Sequence, residues 1–172
     1  MPPVIEGIRV RPAHDTDAGA VAAIYNQGIE DRIATFETRP RATEDVAGWW
    51  HGSHPVVVAE RGGEVLGFAS ASSYRARACY GSIAEFSVYV ARYSRGERIG
   101  ARLLEALIEA ASQAGFHKLV SRIFVENAAS RALARSAGFR EVGVYVRHGQ
   151  LDGVWRDVVI VERLLDERAP LY

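Results

Sequence analysis

A short basic, glycine-containing stretch, Arg95-Gly96-Glu97-Arg98-Ile99-Gly100, follows an apolar run that ends at Val90 and precedes a leucine-rich amphipathic segment. This change of pattern predicts a turn from a strand into a helix. Such a turn directs free backbone N–H groups and the positive end of the helix dipole at one point, where phosphate commonly binds. The stretch has neither the Gly-Lys-Ser/Thr of a Walker A loop nor the third glycine of a dinucleotide fingerprint. It therefore indicates another kind of anion site, or an ordinary surface turn.

Two further places carry charge that the surrounding pattern does not explain. Glu85 stands inside the apolar run 83–90, where a carboxylate is a candidate general base or else a residue that faces solvent. Arg75 and Arg77 flank Ala76. In a strand these arginines would share one face, where two positive charges call for an anion between them. The alternative is a pair of solvated arginines in a loop.

The composition argues against several other kinds of chemistry. The 21 basic and 21 acidic residues cancel, which disfavours nucleic-acid binding through bulk charge. Cys79 is the one cysteine and the five histidines lack HExxH spacing, so neither a disulfide nor a metal site is expected. No apolar run approaches the roughly 20 residues that cross a bilayer, and the start lacks a signal peptide's apolar core. We expect a cytoplasmic protein without a membrane partner.

The elements that must position these charges follow from the hydrophobic periodicity, and the length suits one domain, taken as residues 1–172. One helix is expected to begin at an N-cap at Asp15, residues 28–40 are expected to form a loop with a helical turn, and another helix covers 43–50. A third contains Leu103 and closes at Gly115, and a fourth covers 127–137. Strands are predicted over 8–11, 56–59, 65–72, 83–90, 118–125, 139–146 and 154–164.

The order of these elements predicts the fold class. Strands and helices alternate in the middle of the chain, which implies a partly parallel sheet, and hairpins at both ends imply antiparallel edges. We therefore expect an α/β protein with a mixed central β-sheet and helices on both faces.

A series of motifs runs through the middle of the chain. A strand ending in Val88-Tyr89-Val90 is followed by Arg-x-x-x-x-Gly, a leucine-rich helix, a strand and an asparagine-capped helix that ends in Ala-Gly-Phe. This series resembles the GNAT superfamily of acetyl-CoA-dependent N-acetyltransferases, whose pyrophosphate loop reads Gln/Arg-x-x-Gly-x-Gly/Ala. Arg95 and Gly100 match the ends of that loop, and Arg98 replaces its middle glycine. The resemblance covers 8–165 and implies the GNAT fold.

Three separated segments give a narrower match: IYNQGIEDRIATFETRPR near the start, SYRARACYGSIAEFSVYV in the middle and LDGVWRDVVIVERLL at the end. They look like the phosphinothricin N-acetyltransferase branch, and most like its arsinothricin-resistance members. The resemblance implies transfer of acetyl from acetyl-CoA to the α-amine of a glutamate analogue such as phosphinothricin, arsinothricin or methionine sulfoximine. That reaction would confer resistance by detoxification. The resemblance also implies a homodimer.

The resemblance assigns roles to individual residues. Glu85 would remove the amine proton, directly or through a water. The backbone of Val88, Tyr89 and Val90 would hold pantetheine and polarise the thioester carbonyl, and Asn127 would contact the cofactor as well as cap its helix. The pyrophosphate would bind Arg95, Gly96, Glu97, Arg98, Ile99, Gly100 and Ala101. The substrate would contact Thr35, Phe36, Tyr74, Arg75, Arg77, Tyr80 and Glu85.

A few positions depart from the branch or lie outside this predicted site. Many relatives carry a tyrosine or histidine that protonates the leaving thiolate where this chain has Ala134, so water would serve or no acid would be needed. A covalent route through Cys79 is disfavoured because no paired His and Asp lie near it in sequence. Trp155 and Asp157 are interpreted as subunit or pocket framework. His148 is interpreted as a surface residue, and its place near these two residues leaves a role in the pocket open.

Two rival functions remain open from the sequence. The first keeps the fold but acetylates a protein N-terminus, a polyamine or an aminoglycoside; the paired arginines disfavour cationic substrates. The second is a catalytically silent acyl-CoA sensor, which Ala134 supports slightly and Glu85 opposes.

Overall fold

A computed structural model describes residues 7–166, so both ends of the predicted 1–172 domain lie outside the described range. A seven-stranded sheet has the order β1-β2-β3-β4-β5-β7-β6. Its strands are β1 (Ile8–Pro12), β2 (Val56–Arg61), β3 (Glu64–Ser73), β4 (Ile83–Val90), β5 (Lys118–Phe124), β6 (Arg140–Leu151) and β7 (Val154–Leu164). The helices are α1 (Ala18–Asp31), α2 (Thr43–Val46), α3 (Ile99–Gln113) and α4 (Ala128–Ser136).

The sheet is mixed, as predicted, because β4 and β5 run parallel while the other neighbouring strands are antiparallel. β3 pairs with β4 from Ala84 to Val90. β5 pairs with β4 only over Ile83–Glu85. The two parallel strands therefore separate after Glu85 and leave a gap in the middle of the sheet.

Helices cover both faces of the sheet, which confirms the expected α/β fold. On one face, α3 and α4 enclose a core that includes Leu103, Leu104 and Leu107. On the other face, α1 and α2 pack Val21 and Val46 against β2 and β3. Because side chains alternate along a strand, Val88 and Val90 of β4 face α3 and α4, whereas Glu85, Ser87 and Tyr89 face the side of α1.

The start of α1 differs from the prediction. Asp15 is not its N-cap: it lies in a 3₁₀ turn, Asp15–Asp17, and its carboxylate accepts a hydrogen bond from Trp50 Nε1 at 2.9 Å. The acid that organises this corner is the buried Asp17. Its carboxylate accepts from the Arg11 guanidinium and from the backbone N–H of His14, both at 2.7 Å. The side-chain hydrogen bond from Arg11 lowers the pKa of Asp17 and opposes the effect of burial.

Two further helix limits were wrong. α1 continues to Asp31, so residues 28–31, predicted as part of a loop with a helical turn, form the last turn of this helix. Gly28 faces the Tyr89 ring so closely that a Cβ there would lie 2.6 Å from Tyr89 Cε1, and this contact holds the helix against β4. α2 ends at Val46, and turns follow in place of the predicted helix to Trp50. The indole bond to Asp15 fixes Trp50 outside a helix.

Candidate active site

The gap between β4 and β5 exposes backbone groups of β4. The backbone N–H of Ala91 donates to Leu66 of β3 at 2.7 Å, so odd-numbered residues at this end of β4 direct their amide groups towards β3. Tyr89 belongs to that set. By the same alternation, the N–H and C=O groups of Val88 and Val90 point into the gap. They are therefore available to an amide-containing ligand.

Two side-chain bonds already bridge part of this exposed edge. The Ser121 hydroxyl of β5 donates to the Phe86 carbonyl at 2.9 Å, and Arg95 Nε donates to the Val90 carbonyl at 3.2 Å. The cleft that contains the gap encloses about 490 Å³ of space open to solvent. Residues of α4 line its far side, including Asn127 at the N-cap, Ser130, Leu133 and Ala134.

The predicted anion-binding turn lies at the start of α3, beside this cleft. α3 begins at Ile99, has no side-chain cap and carries no acidic residue in its first turn, so its first N–H groups and its dipole are uncompensated. Arg95 forms an ion pair with Asp31 at 2.7 Å, and Glu97 pairs with Arg61. The Glu97 carboxylate is thus neutralised by a partner on β2. The turn fits an anion such as pyrophosphate.

Arg98 adopts an unusual backbone conformation in this turn. Its φ of 62° lies in the left-handed region, which favours glycine. Arg98 occupies the position where the GNAT loop pattern has its middle glycine. The turn therefore keeps a glycine-type conformation with an arginine in it, and it stores strain of about 1 kcal/mol.

We expect Arg98→Gly to be about 1 kcal/mol more stable than Arg98→Ala, because both remove the guanidinium but only glycine adopts a positive φ without strain. Thermal unfolding of the two variants measures the difference, and the alanine variant is the control for loss of the charged side chain. Equal melting temperatures would contradict the strained conformation.

Glu85 lies where β4 and β5 separate. It is opposite Ser72 of β3 and is the last residue of β4 that pairs with β5. Its carboxylate forms an ion pair with Arg122 of β5 at 3.2 Å, and a quarter of its side chain is exposed. The structure therefore places the candidate base beside the gap, on the face of α1.

A second cavity adjoins the cleft on the face of α1. Ser87 and Tyr89 line both spaces, so the cleft and the cavity meet at these two residues. Ser70 lies opposite Ser87 in the β3–β4 pairing and shares the cavity with Ser72 and His54. Sequence reasoning missed this polar row. The alternation Ser70-x-Ser72 in an apolar strand was the available signal.

Tyr89 contributes its ring to the wall between the two spaces. It stacks on Phe68 with ring centroids 5.3 Å apart and meets the Tyr25 ring edge-on at 5.1 Å. Burial raises the pKa of both tyrosines, and hydrogen bonding with the Thr35 hydroxyl opposes that effect. Both phenols therefore stay neutral across the physiological range. The predicted substrate residue Thr35 lies at this wall.

Phe36 lies on the β5 and β6 side of the site. Its ring packs on Phe124 with centroids 4.7 Å apart, and it approaches the backbone of Gly149 so closely that a Cβ there would clash. The loop that carries Phe36 is fixed next to Asn127, whose Nδ2 donates to the Ile33 carbonyl at 3.2 Å. Asn127 also accepts from the Ser130 N–H at 3.1 Å, which confirms the predicted N-cap.

The strand assumed for the two arginines was wrong. β3 ends at Ser73, so Arg75 and Arg77 lie in an exposed loop and share no strand face. The pairing with β4 stops at Ala84, and the segment that follows β3 turns through a 3₁₀ turn, Ala78–Tyr80.

Arg75 still lies among the aromatic residues of the predicted substrate site. Its guanidinium carbon is 5.1 Å from the centre of the Tyr74 ring, and Tyr74 packs edge-on against Tyr80. Hydrogen bonding with Tyr74 is the main influence that raises the pKa of Arg75, and Tyr145 of β6 adds to it. The loop therefore reaches towards β6, on the face that carries Glu85.

The residues that the sequence analysis named outside the predicted contacts lie around the site. Ala134 is buried in the cleft wall and offers no proton donor. Cys79 is exposed on the Ala78–Tyr80 turn. The His148 ring packs on Tyr145 at 4.7 Å. Trp155 is more than half exposed, and the Asp157 carboxylate accepts from the Arg147 N–H at 2.7 Å.

Within residues 7–166 the acidic, histidine and cysteine side chains form no group that could hold a metal ion. Over the same residues, each helix is too short or too polar to cross a membrane.

Comparison with models of protein families identifies the family of this chain. Residues 22–139 match the model of the acetyltransferase (GNAT) family. The chain belongs to this family, and it is an acetyl-CoA-dependent N-acetyltransferase. The resemblance noted from the sequence is thus confirmed.

Two curated relatives indicate the branch. A phosphinothricin N-acetyltransferase of Streptomyces coelicolor is 34% identical over 96% of this chain and 100% of its own length. An L-methionine sulfoximine/L-methionine sulfone acetyltransferase of Pseudomonas aeruginosa is 35% identical over 91% of this chain and 94% of its own.

Solved structures agree on the fold. An acetyltransferase of Salmonella typhimurium, solved with acetyl-CoA, superposes with a TM-score of 0.91 at 32% identity and covers 95% of this chain and 97% of its own. A ribosomal-protein-alanine N-acetyltransferase of Brucella melitensis has a TM-score of 0.87 at 38% identity and covers 91% and 99%.

Proposed function

We propose that this protein transfers the acetyl group of acetyl-CoA to the α-amine of a glutamate-analogue amino acid of the phosphinothricin, arsinothricin or methionine sulfoximine type. The observation that carries the proposal is the position of Glu85. Its carboxylate lies beside the gap into which the backbone N–H groups of Val88 and Val90 and the Val88 carbonyl point. The names of the curated relatives support this substrate class.

The reaction needs no metal and no protein nucleophile. Glu85 takes a proton from the α-ammonium, directly or through a water, and the neutral nitrogen attacks the thioester carbonyl carbon. The Val88 N–H stabilises the oxyanion that develops. As the carbon–nitrogen bond forms, the carbon–sulfur bond breaks, and the CoA thiolate leaves. A proton from water converts it to the thiol, since Ala134 cannot supply one.

Acetyl-CoA is held along the cleft. The pantetheine amides pair with the backbone of Val88 and Val90, while the pyrophosphate binds the uncompensated N–H groups at the start of α3. Asn127 borders the same cleft at the N-cap of α4. The proposed pyrophosphate contacts are Arg95, Gly96, Glu97, Arg98, Ile99, Gly100 and Ala101.

The substrate lies on the face of α1, between Tyr89 and the aromatic residues of the 74–80 loop. Arg75 and Arg77 are proposed to bind the acidic side-chain group of the substrate. Both are exposed in the free protein, so their contribution depends on the desolvation that the bound substrate brings. The other proposed contacts are Thr35, Phe36, Tyr74 and Tyr80.

Arg75→Ala is expected to raise the Michaelis constant for phosphinothricin by about tenfold or more, because a hydrogen bond to a charged group contributes about 1.5–3 kcal/mol. Arg75→Lys should restore only part of this loss, since lysine lacks the planar fork. Steady-state kinetics measure both, with Arg9→Ala on the far edge strand as the matched control. Unchanged constants for Arg75→Ala and Arg77→Ala with every acidic analogue would place both arginines outside the site.

We also propose that the chain acts as a homodimer in the cytoplasm and confers resistance by detoxification. The edge strand β6 supports the dimer, because its apolar side chains Val142, Val144, Tyr145 and Val146 are exposed. A second copy would remove them from water. Sedimentation equilibrium should show a dimer, and a monomer at micromolar concentration would contradict it.

A protein N-terminus is the second candidate substrate, since the Brucella melitensis relative is named a ribosomal-protein-alanine N-acetyltransferase. Release of free CoA thiol across a panel decides between the candidates. The panel contains phosphinothricin, arsinothricin, methionine sulfoximine, a polyamine and an alanine-terminated peptide. Turnover with the amino-acid analogues supports the proposal, whereas turnover with the peptide alone would overturn it. A silent acyl-CoA sensor would release no thiol with any amine.

A further inference from the structure

Arg122 is a charged residue in the middle of a buried strand, and the predicted site did not include it. Its neighbours on β5, Val120 and Ile123, are mostly buried, but half of the Arg122 side chain is exposed. It lines the cleft beside the β4–β5 gap. Along β5 it lies two residues beyond the last residue paired with β4, on the same face of the sheet as Glu85.

The contact between Arg122 and Glu85 uses one end of the guanidinium. Nη2 lies 3.2 Å from Oε1 and 3.4 Å from Oε2 of the carboxylate. Both distances are long for a charge-assisted hydrogen bond, which is usually about 2.7–2.9 Å. The pair is therefore loosely joined and partly open to water. Nε and Nη1 are the donors through which the same guanidinium can engage a second carboxylate.

We propose that Arg122 binds the α-carboxylate of the substrate while Glu85 receives its α-ammonium. This inference rests on the proposed function and names the feature of the substrate that the site selects. An α-amino acid carries its ammonium and its carboxylate on one carbon, so the two charges lie side by side. Glu85 and Arg122 present the complementary charges side by side, at the separation point of β4 and β5.

The charge balance favours this arrangement. The free site holds one negative and one positive group, and a zwitterion adds one of each, so every charge gains a partner and the net charge stays zero. A simple amine would pair with Glu85 and leave Arg122 without its partner. Arg122 therefore selects α-amino acids over amines that lack the carboxylate. Arg75 and Arg77 remain free for the group at the end of the substrate side chain.

Methionine sulfone and its decarboxylated amine are the probes that test this role. They differ only in the α-carboxylate, and their side chain carries no charge for the loop arginines. The wild-type protein should prefer methionine sulfone in kcat/KM. Arg122→Ala should raise the Michaelis constant for methionine sulfone on the order of 10–100-fold and leave that for the amine nearly unchanged, as expected for loss of a charged hydrogen bond. Arg122→Lys should restore part of the preference.

The controls separate this role from support of Glu85. Arg9→Ala, an exposed arginine on the distant edge strand, should leave both substrates unaffected. Equal losses for the two probes in Arg122→Ala and in Arg122→Lys would show that Arg122 only positions Glu85, and the proposal would be wrong. It would also be wrong if the wild-type protein does not prefer methionine sulfone to the amine.

A binding measurement distinguishes failure of this inference from failure of the proposed function. Calorimetry titrates methionine sulfone into the CoA-bound protein, with and without Arg122. Binding that weakens on the order of 10–100-fold in Arg122→Ala supports the carboxylate site, even if neither probe is acetylated. Undetectable binding to the wild-type protein, or equal affinity in the variant, would overturn it.

Discussion

Glu85→Gln is expected to lower kcat by about 10²–10⁴-fold, which is the usual contribution of a positioned general base. The amide keeps the size of the side chain and can still accept a hydrogen bond from Arg122, so the strand register should persist. What it loses is the ability to take a proton from the α-ammonium. Activity should recover in part at high pH, where the amine is already neutral.

Two further measurements test whether the loss of kcat comes from loss of the general base. Acetyl-CoA affinity should be unchanged, because the proposed cofactor contacts lie on the backbone of Val88 and Val90 and at the start of α3. Glu141→Gln is the matched control, since Glu141 is a strand carboxylate ion-paired with Arg131 away from the gap. Turnover of Glu85→Gln near the wild-type value at neutral pH would show that the carboxylate is dispensable.

Gly100→Asp should weaken acetyl-CoA binding by an order of magnitude or more. A Cβ at Gly100 would lie 3.4 Å from Leu133 Cδ2 and 3.8 Å from Val90 Cγ2, which are ordinary contacts, so the variant is expected to fold. Its carboxylate would enter the space between α3, α4 and β4, where we propose that the pyrophosphate binds. Loss of one charge-assisted hydrogen bond accounts for about 1.5–3 kcal/mol.

Gly100→Asn is the control, because it adds nearly the same volume without the negative charge. It should lose less affinity than Gly100→Asp, and the difference should shrink at high salt. Calorimetry with acetyl-CoA measures both variants. If a folded Gly100→Asp protein bound acetyl-CoA with wild-type affinity, the pyrophosphate would not bind at this turn.

Much of the fold was predictable because long periodic segments determine it. The leucines of α3 and the apolar run of β4 indicated both elements, and Asn127 with Gly138 marked the ends of α4. Asp152 and Gly153 form the turn between β6 and β7 with positive φ, a conformation that Asp and Gly adopt more readily than most residues. These signals are local, so one sequence suffices to read them.

The sequence predictions failed where contacts between residues distant in sequence determine the local structure. Asp15 and Asp17 are equally good caps by type, and only the position of Arg11 selects Asp17 as the buried partner. α1 extends past Gly28 because the Tyr89 ring packs against that glycine, and no neighbour in sequence reports this contact. The shared strand face of Arg75 and Arg77 was inferred from their spacing alone, although the predicted strand ended at 72, one residue before the observed end of β3.

The candidate site was predictable only in part for the same reason. Glu85 and the turn before α3 were visible as charge in unexpected places. Arg122 is also a charge in an unexpected place, since it interrupts an apolar strand. Its position beside Glu85 depends on the parallel pairing of β4 and β5, which the sequence of β5 alone does not show. Ser87 lies where the cleft and the second cavity meet, and no pattern along the sequence indicates that position.

The proposed site acetylates the α-amine of an amino-acid analogue. Incubation with isotopically labelled acetyl-CoA and phosphinothricin, arsinothricin or methionine sulfoximine, followed by NMR of the product, tests it most directly. A labelled acetyl group bonded to the α-nitrogen is expected, formed by the wild-type protein and about 10²–10⁴-fold more slowly by Glu85→Gln. Label that stays in acetyl-CoA with all three compounds, or that appears on an atom other than the α-nitrogen, would contradict it.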